Sequence, residues 1–189
     1  MNLKTRPSSI FFFFLLMIIL FITSCVNRRK DLMNPLIILD TSEGKITLEI
    51  FPEIAPKASE NFIGLVEKGY YDGIIFHRII KKFMIQSGDP TGTGTGGQSI
   101  WKKIFENEVR PEVKFDQKGL LAMANAGPDT NGSQFFITTS PATWLNMKYT
   151  IFGKVAEGYD VVEKIENTPT GPGDRPLNPP KIIKAYIKP

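Results

Sequence analysis

The chain has 189 residues, a formal net charge of +4, 42% hydrophobic residues, one histidine and one cysteine. A single histidine and a single cysteine exclude a His/Cys metal cluster and any disulfide within the chain. Apart from a run at Arg28-Arg29-Lys30 the basic residues are scattered, and nothing suggests a nucleic-acid-binding face.

The first 24 residues read as a targeting segment. Lys4 and Arg6 form a positive n-region, and Ile10 to Ile22 is an unbroken apolar run of 13 residues, within the length of a secretory h-region. It falls short of the roughly 18–20 apolar residues that a membrane-spanning helix needs. Ile22-Thr23-Ser24-Cys25 follows, an apolar residue, two small ones and the only cysteine. This resembles the bacterial lipobox, in which the cysteine is lipidated and becomes the mature N-terminus. The other reading is ordinary cleavage that leaves a free thiol. An anchor with more than one acyl chain gives stable membrane attachment. Val26 is not the aspartate associated with inner-membrane retention, which points to the outer membrane.

Removal of residues 1–24 leaves 165 residues, the size of one domain with a substantial core. The charge falls to +2, because Lys4 and Arg6 leave and no acidic residue does. Residues 25–34 are polar and read as a tether. Within it, Arg28-Arg29-Lys30 either meets anionic headgroups, worth on the order of 1 kcal/mol per charge, or lies in solvent.

From residue 35 the pattern turns to strands, at Leu36–Leu39 and Ile46–Phe51, with hairpin chemistry at Ser42-Glu43-Gly44-Lys45. Pro56 suits the first turn of a helix. Ala58, Phe62, Leu65 and Val66 then recur at helical spacing until Gly69. Strands are predicted at 73–80 and 83–86, followed by a Gly/Thr-rich loop at 88–97 and irregular sequence to Phe115. Further strands are predicted at 119–125, 134–139 and 150–155. A second helix over 158–166 buries Val161, Val162 and Ile165, and a Pro/Gly-rich loop leads to a last strand at 181–187. Short strands with turn chemistry between them, and two helices, predict a mainly β fold: a closed antiparallel β-barrel with the α-helices covering its ends.

Strand alternation decides which side chains share a face. Arg78 falls with Phe76 and Ile80, Met84 with Gln86, and Gln134 with Phe136. One surface then presents Arg78, Met84, Gln86, Gln134 and Phe136, an apolar patch with guanidinium and amide donors. That composition suits a ligand with an apolar ring and a flanking carbonyl.

Three segments carry a resemblance: FHRIIKKFMIQSGDPTGTGTGG (76–97), AMANAGPDTNGSQFFITT (122–139) and WLNMKYTIFGKV (144–155). Their order and spacing resemble the cyclophilin family of peptidyl-prolyl cis-trans isomerases, from about Pro35 to Ile187. The family's fold is an eight-stranded antiparallel barrel with two capping helices. By the resemblance, Arg78 is the catalytic arginine of the FHR motif, and Phe83, Met84 and Gln86 match F-M-x-Q. Ala124 and Asn125 match the M-A-N backbone that receives the peptide. Gln134 and Phe136 belong to Q-F-F, and Trp144 and Leu145 match W-L. Phe83, Met84, Phe136 and Leu145 would wall a proline-ring pocket, while Gln86, Asn125 and Arg78 hold the peptide backbone.

The chain departs from the family's W-L-D-G-K-H at Asn146, Met147 and Tyr149, and Lys81-Lys82 replaces Pro-Gly. Tyr149 stands where a pocket histidine is expected and keeps a ring and one polar hydrogen. Met147 alters its loop if the glycine used positive φ. Trp144 favours binding of cyclosporin-type inhibitors, again by the resemblance. Three other features read as structural. Gly92–Gly97 fits G-x-G-x-x-G but opens no helix of a βαβ unit. His77 lies opposite Arg78, and Asn131-Gly132-Ser133 is a tight turn despite its sequon.

The expected protein is a monomeric, lipid-anchored isomerase in the cell envelope, periplasmic or surface-facing. It would act on Pro-containing exported polypeptides with no cofactor or metal. The rival is a binding or holdase module of the same fold with little turnover; Arg78, Gln86 and Phe136 favour the enzyme.

Overall fold

The computed structural model describes residues 34–189. The expected targeting segment, Cys25 and the expected tether as far as residue 33 lie outside the described residues. Pro35–Pro189 is one compact unit.

Eight strands form one sheet in the order β3-β4-β6-β5-β7-β2-β1-β8, with every pairing antiparallel. In chain order they are β1 (Leu36–Thr41), β2 (Gly44–Ile50), β3 (Arg78–Ile80), β4 (Met84–Ser87), β5 (Leu120–Met123), β6 (Phe135–Thr138), β7 (Ile151–Glu157) and β8 (Ile182–Ile187). The sheet closes through a seam between the chain leading into β3 and the start of β8. Gly73 N–H donates to Ile182 O at 2.7 Å, Ile182 N–H to Ile74 O at 2.8 Å, and Phe76 N–H to Pro180 O at 2.8 Å.

This seam corrects the expected strand at 73–80. Only Arg78–Ile80 pairs with β4, because the preceding residues are used to close the barrel. Regular alternation does not extend upstream of β3. Phe76, expected on the face of Arg78, is fully buried in the interior cluster instead.

Helix α1 (Pro56–Glu67) begins with proline in its first turn and ends at Gly69 (φ 63°), where Gly69 N–H reaches Val66 O and Tyr70 N–H reaches Leu65 O. No residue of its own caps it. The Glu108 carboxylate accepts the N–H groups of Lys57 and Ala58 at 3.0 and 2.9 Å, a negative charge where the helix dipole favours one. Phe62 projects from α1 among the rings of Tyr71, Phe135 and Phe152, at 5.1–5.2 Å. Helix α2 (Tyr159–Glu166) buries Val161, Val162 and Ile165 and packs on β2, β3 and β4.

The barrel interior holds Ile37, Leu39, Ile46, Leu48, Ile50, Ile85, Leu121, Phe135, Ile137 and Phe152. A second apolar cluster lies on the outer face of β4, β5 and β6: Met84, Leu120, Ala122 and Phe136 meet Phe115, Ala142, Leu145 and Ile151. Strands β5 and β6 are therefore buried on both faces, and what covers their outer face shapes the site.

Candidate active site

Register builds the site. Arg78 on β3 pairs with Gln86 on β4, Gln86 with Phe136 on β6, and Phe136 with Ala122 on β5. Paired residues project to the same face, so four strands place one residue each along a line across the outer wall. The alternate residues Ile79, Ile85, Ile137 and Leu121 point into the barrel.

The line lies under a pocket of about 170 Å³ formed by Arg78, Phe83, Met84, Gln86, Ala124, Asn125, Phe136, Leu145 and Tyr149. This volume suits a small ring and its flanking amides; drug-sized ligands occupy roughly 300–1,000 Å³. Phe136 forms the floor. Phe115 stacks on it at 6.0 Å and 13°, and Tyr149 meets it edge-on at 5.8 Å and 85°. Two aromatic neighbours fix the floor ring while its face stays apolar.

The polar groups come from one side. Arg78 is half-exposed and donates through Nε and Nη2 to Asp174 Oδ2, at 3.4 and 3.3 Å. Gln86 Nε2 donates to Gln134 Oε1 at 2.8 Å, and Gln134 Nε2 donates to the carbonyls of Gly94 and Gly96. The Gly/Thr-rich loop beneath is organised by Asp89. Its carboxylate accepts from Thr91 N and Oγ1, Thr93 Oγ1, Gly94 N and Gly96 N, at 2.6–3.3 Å. Burial opposes its charge, but the hydrogen bonds from Thr91, Gly96 and Gly94 outweigh that and hold the carboxyl well below the usual range.

Nine of the eleven expected substrate-contacting residues thus line one pocket, and two do not. Gln134 stands behind Gln86, drawn away by the glycine carbonyls. It lines an adjoining hollow of about 390 Å³ along Gly94–Gly97, Ile104 and Thr130. Trp144 stands at the rim, 57% exposed, its ring 5.5 Å from Phe83. The Asn125 side chain is directed away from a peptide role: Nδ2 donates to Lys148 O at 3.1 Å and Asn107 Oδ1 at 3.3 Å.

His77 is buried, and both ring nitrogens lack a partner among the described residues. Burial lowers its pKa, reinforced by Arg175 and Arg78 and opposed by Asp89. Asn131 is also buried, with Nδ2 donating to Phe105 O, Glu106 O and Asn107 Oδ1. Its sequon lies within the fold.

Asn107 and Asp174 belong to none of the sequence motifs that mark the site, and Asp89 lies in the first of them without an expected role. An aspartate before a Thr/Gly run is an Asx-turn signal, so Asp89 was within reach. Asn107 ties together Asn125, Asn131 and the Lys148 carbonyl, to which its own Nδ2 donates at 3.0 Å. It lies in a segment with no periodicity, and nothing local marks it.

Residues 36–187 match the family described as cyclophilin type peptidyl-prolyl cis-trans isomerase/CLD. The chain is 56% identical over 152 residues to peptidyl-prolyl cis-trans isomerase-like 1 of Homo sapiens, covering 80% of this chain and 92% of that protein. It is 57% identical over 151 residues to peptidyl-prolyl cis-trans isomerase CYP18-1 of Arabidopsis thaliana, covering 80% and 94%. The fold matches the crystal structure of a cyclophilin type isomerase of Cryptosporidium parvum with a TM-score of 0.80 and 43% identity, covering 82% and 98%. The same Cryptosporidium protein in the presence of the dipeptide Ala-Pro gives 0.79 and 44%, covering 82% and 99%.

Proposed function

The chain belongs to the cyclophilin-type peptidyl-prolyl cis-trans isomerase family and catalyses isomerisation of X-Pro bonds, and from that premise we propose which residues carry the reaction and where it takes place. Phe83, Met84, Phe136 and Leu145 seat the proline ring. Gln86 and the main chain at Ala124-Asn125 hold the flanking peptide. Arg78 acts on the twisting amide.

The barrier is lost amide resonance, roughly 18–20 kcal/mol, and uncatalysed exchange takes about 10–100 s. No nucleophile or proton transfer is needed. Catalysis follows if the site binds the twisted amide better than either planar form. As the bond twists, the proline nitrogen becomes pyramidal and regains a lone pair. The Arg78 guanidinium donates to it or to the neighbouring carbonyl, beside an apolar floor that strengthens such a bond. An arginine remains charged and planar throughout, which a lysine does not match.

The observation that carries this reading is the register line that sets Arg78 beside Gln86 and Phe136 over one apolar pocket. NMR exchange spectroscopy on a proline peptide tests it. Arg78→Ala is expected to fold and to lose about a hundredfold in rate, the usual loss for one donor to developing charge. An unchanged rate removes Arg78 from the mechanism.

The reaction is placed outside the cytoplasm, on folding polypeptides, with the enzyme held at the cell envelope through a lipidated Cys25. The support is the sequence of residues 1–25, which precedes the family match. The relatives compared above are eukaryotic proteins.

A further inference from the structure

The loop after α2 carries a charged residue that none of the sequence motifs uses. Residues 170–176 form a turn closed on itself: Gly171 N–H donates to Arg175 O at 2.8 Å, and Thr170 bridges to Pro176. Its tip is left-handed twice, at Gly173 (φ 71°) and Asp174 (φ 61°). Glycine takes that conformation freely and aspartate only at a cost. A non-glycine residue held there is the kind of local strain that clusters at functional sites.

The tip delivers the Asp174 carboxylate to Arg78, where Oδ2 accepts from both Nε and Nη2. Both side chains are 44% exposed, so solvent screening leaves the pair little weight in stability. Its effect is geometric. An arginine side chain has several rotatable bonds, and a carboxylate on one edge of the guanidinium sets the plane of the whole group. The Nη1 edge has no partner among the described residues, and the side chain lines the pocket.

We propose that Asp174 is a positioning residue for isomerisation, holding the guanidinium so that an incoming proline amide meets a donor already oriented. The inference rests on the role of Arg78 given above. Without Asp174, the substrate must order a long mobile side chain during the reaction, and effective alignment is lost. In this role the carboxylate acts through Arg78.

The test is NMR exchange and steady-state kinetics on a proline peptide with Asp174→Ala, Asp174→Asn and the pairing of Asp174→Ala with Arg78→Ala. Asp174→Ala is expected to lower kcat about tenfold while KM stays within about twofold, as for a misplaced catalytic group. Asp174→Asn keeps an accepting oxygen and tolerates the left-handed tip, and is expected to recover part of that loss. In the Arg78→Ala background, Asp174→Ala is expected to cost nothing further. The Arg78 Nε–H resonance should sharpen and shift only when Asp174 is present. An Asp174→Ala enzyme at the wild-type kcat, or faster, overturns the inference, as does an equal loss in the Arg78→Ala background. If Arg78→Ala itself runs at the wild-type rate, the role of Arg78 fails and the inference with it. An inactive Arg78→Ala beside an unaffected Asp174→Ala overturns positioning alone.

Discussion

At Met147 the backbone keeps a conformation that its side chain opposes. It sits at φ 61°, in the left-handed region, and the residue is 51% exposed. Lys82 does the same at φ 57°, with its N–H donating to Glu166 Oε1 at 2.7 Å. Both replace glycines of the family pattern, so the turns are retained and the strain falls on the new residue. Relief of left-handed strain is worth roughly 1–2 kcal/mol, and the extra unfolded-state freedom of glycine costs roughly 0.5–1. Met147→Gly is therefore expected to stabilise by about 0.5–1 kcal/mol, read as a higher urea midpoint at unchanged m-value. A lower midpoint would show that the Met147 side chain contributes packing that its exposure does not suggest. Much at this scale was legible in sequence. Alternation within single strands placed Met84 with Gln86, and the motif marked 82 and 147 as glycine positions. Asp174 was not legible, because its partner lies 96 residues away and only the closed barrel brings them together.

The element that most shapes the polar side of the site is the loop from Gly88 to Gly97. The sequence marks it as a Gly/Thr-rich loop, which describes its glycines but not its order. At Gly88, φ is 91° and a side chain would collide with the Ser133 carbonyl, so only glycine fits. Beyond it, five hydrogen bonds to Asp89 fix the loop, and the fixed Gly94 and Gly96 carbonyls in turn hold Gln134 against Gln86. Because the carboxyl of folded Asp89 is depressed below its ordinary 3.8, its stabilisation is complete above about pH 4. It is lost as pH falls through that value towards the folded one. Asp89→Ala is expected to cost about 2–3 kcal/mol at pH 7, since hydrogen bonds to a buried charge carry roughly that weight. It should also raise KM by loosening Gln86. The stability gap between wild type and Asp89→Ala, measured by urea unfolding at pH 7, 4 and 2, should narrow as pH falls. A gap that stays constant would mean that the loop does not depend on the carboxylate charge.

For the whole molecule, closure of the barrel separates the chain's entry from its working face. Strand β1, where the described domain begins, is separated from β5 by β7 and β2 in one direction. In the other direction, β8 and the seam lie between it and β3 and β4. The groove over β4, β6 and β5 therefore lies on the wall opposite β1. The strands and their antiparallel character are legible as hydrophobic runs between turns, but their order in the sheet is not. Nor is the seam, because Gly73–Phe76 reads as ordinary strand and its pairing with 180–182 is a long-range choice. Between Cys25 and Leu36 there are ten residues, which span at most about 35 Å when extended. Because β1 is not a strand of the groove, anchoring at Cys25 and catalysis should separate. Cys25→Ser is expected to abolish incorporation of a fatty-acid label and to move the protein from the membrane to the soluble fraction. Its kcat/KM on a soluble proline peptide should stay within about twofold of wild type, because the pocket is lined by residues between Arg78 and Tyr149 of the described domain and loss of the acyl chains removes only membrane affinity. Unchanged membrane retention without Cys25 would refute the lipid anchor. A fall in kcat/KM would show that residues before β1 reach the groove.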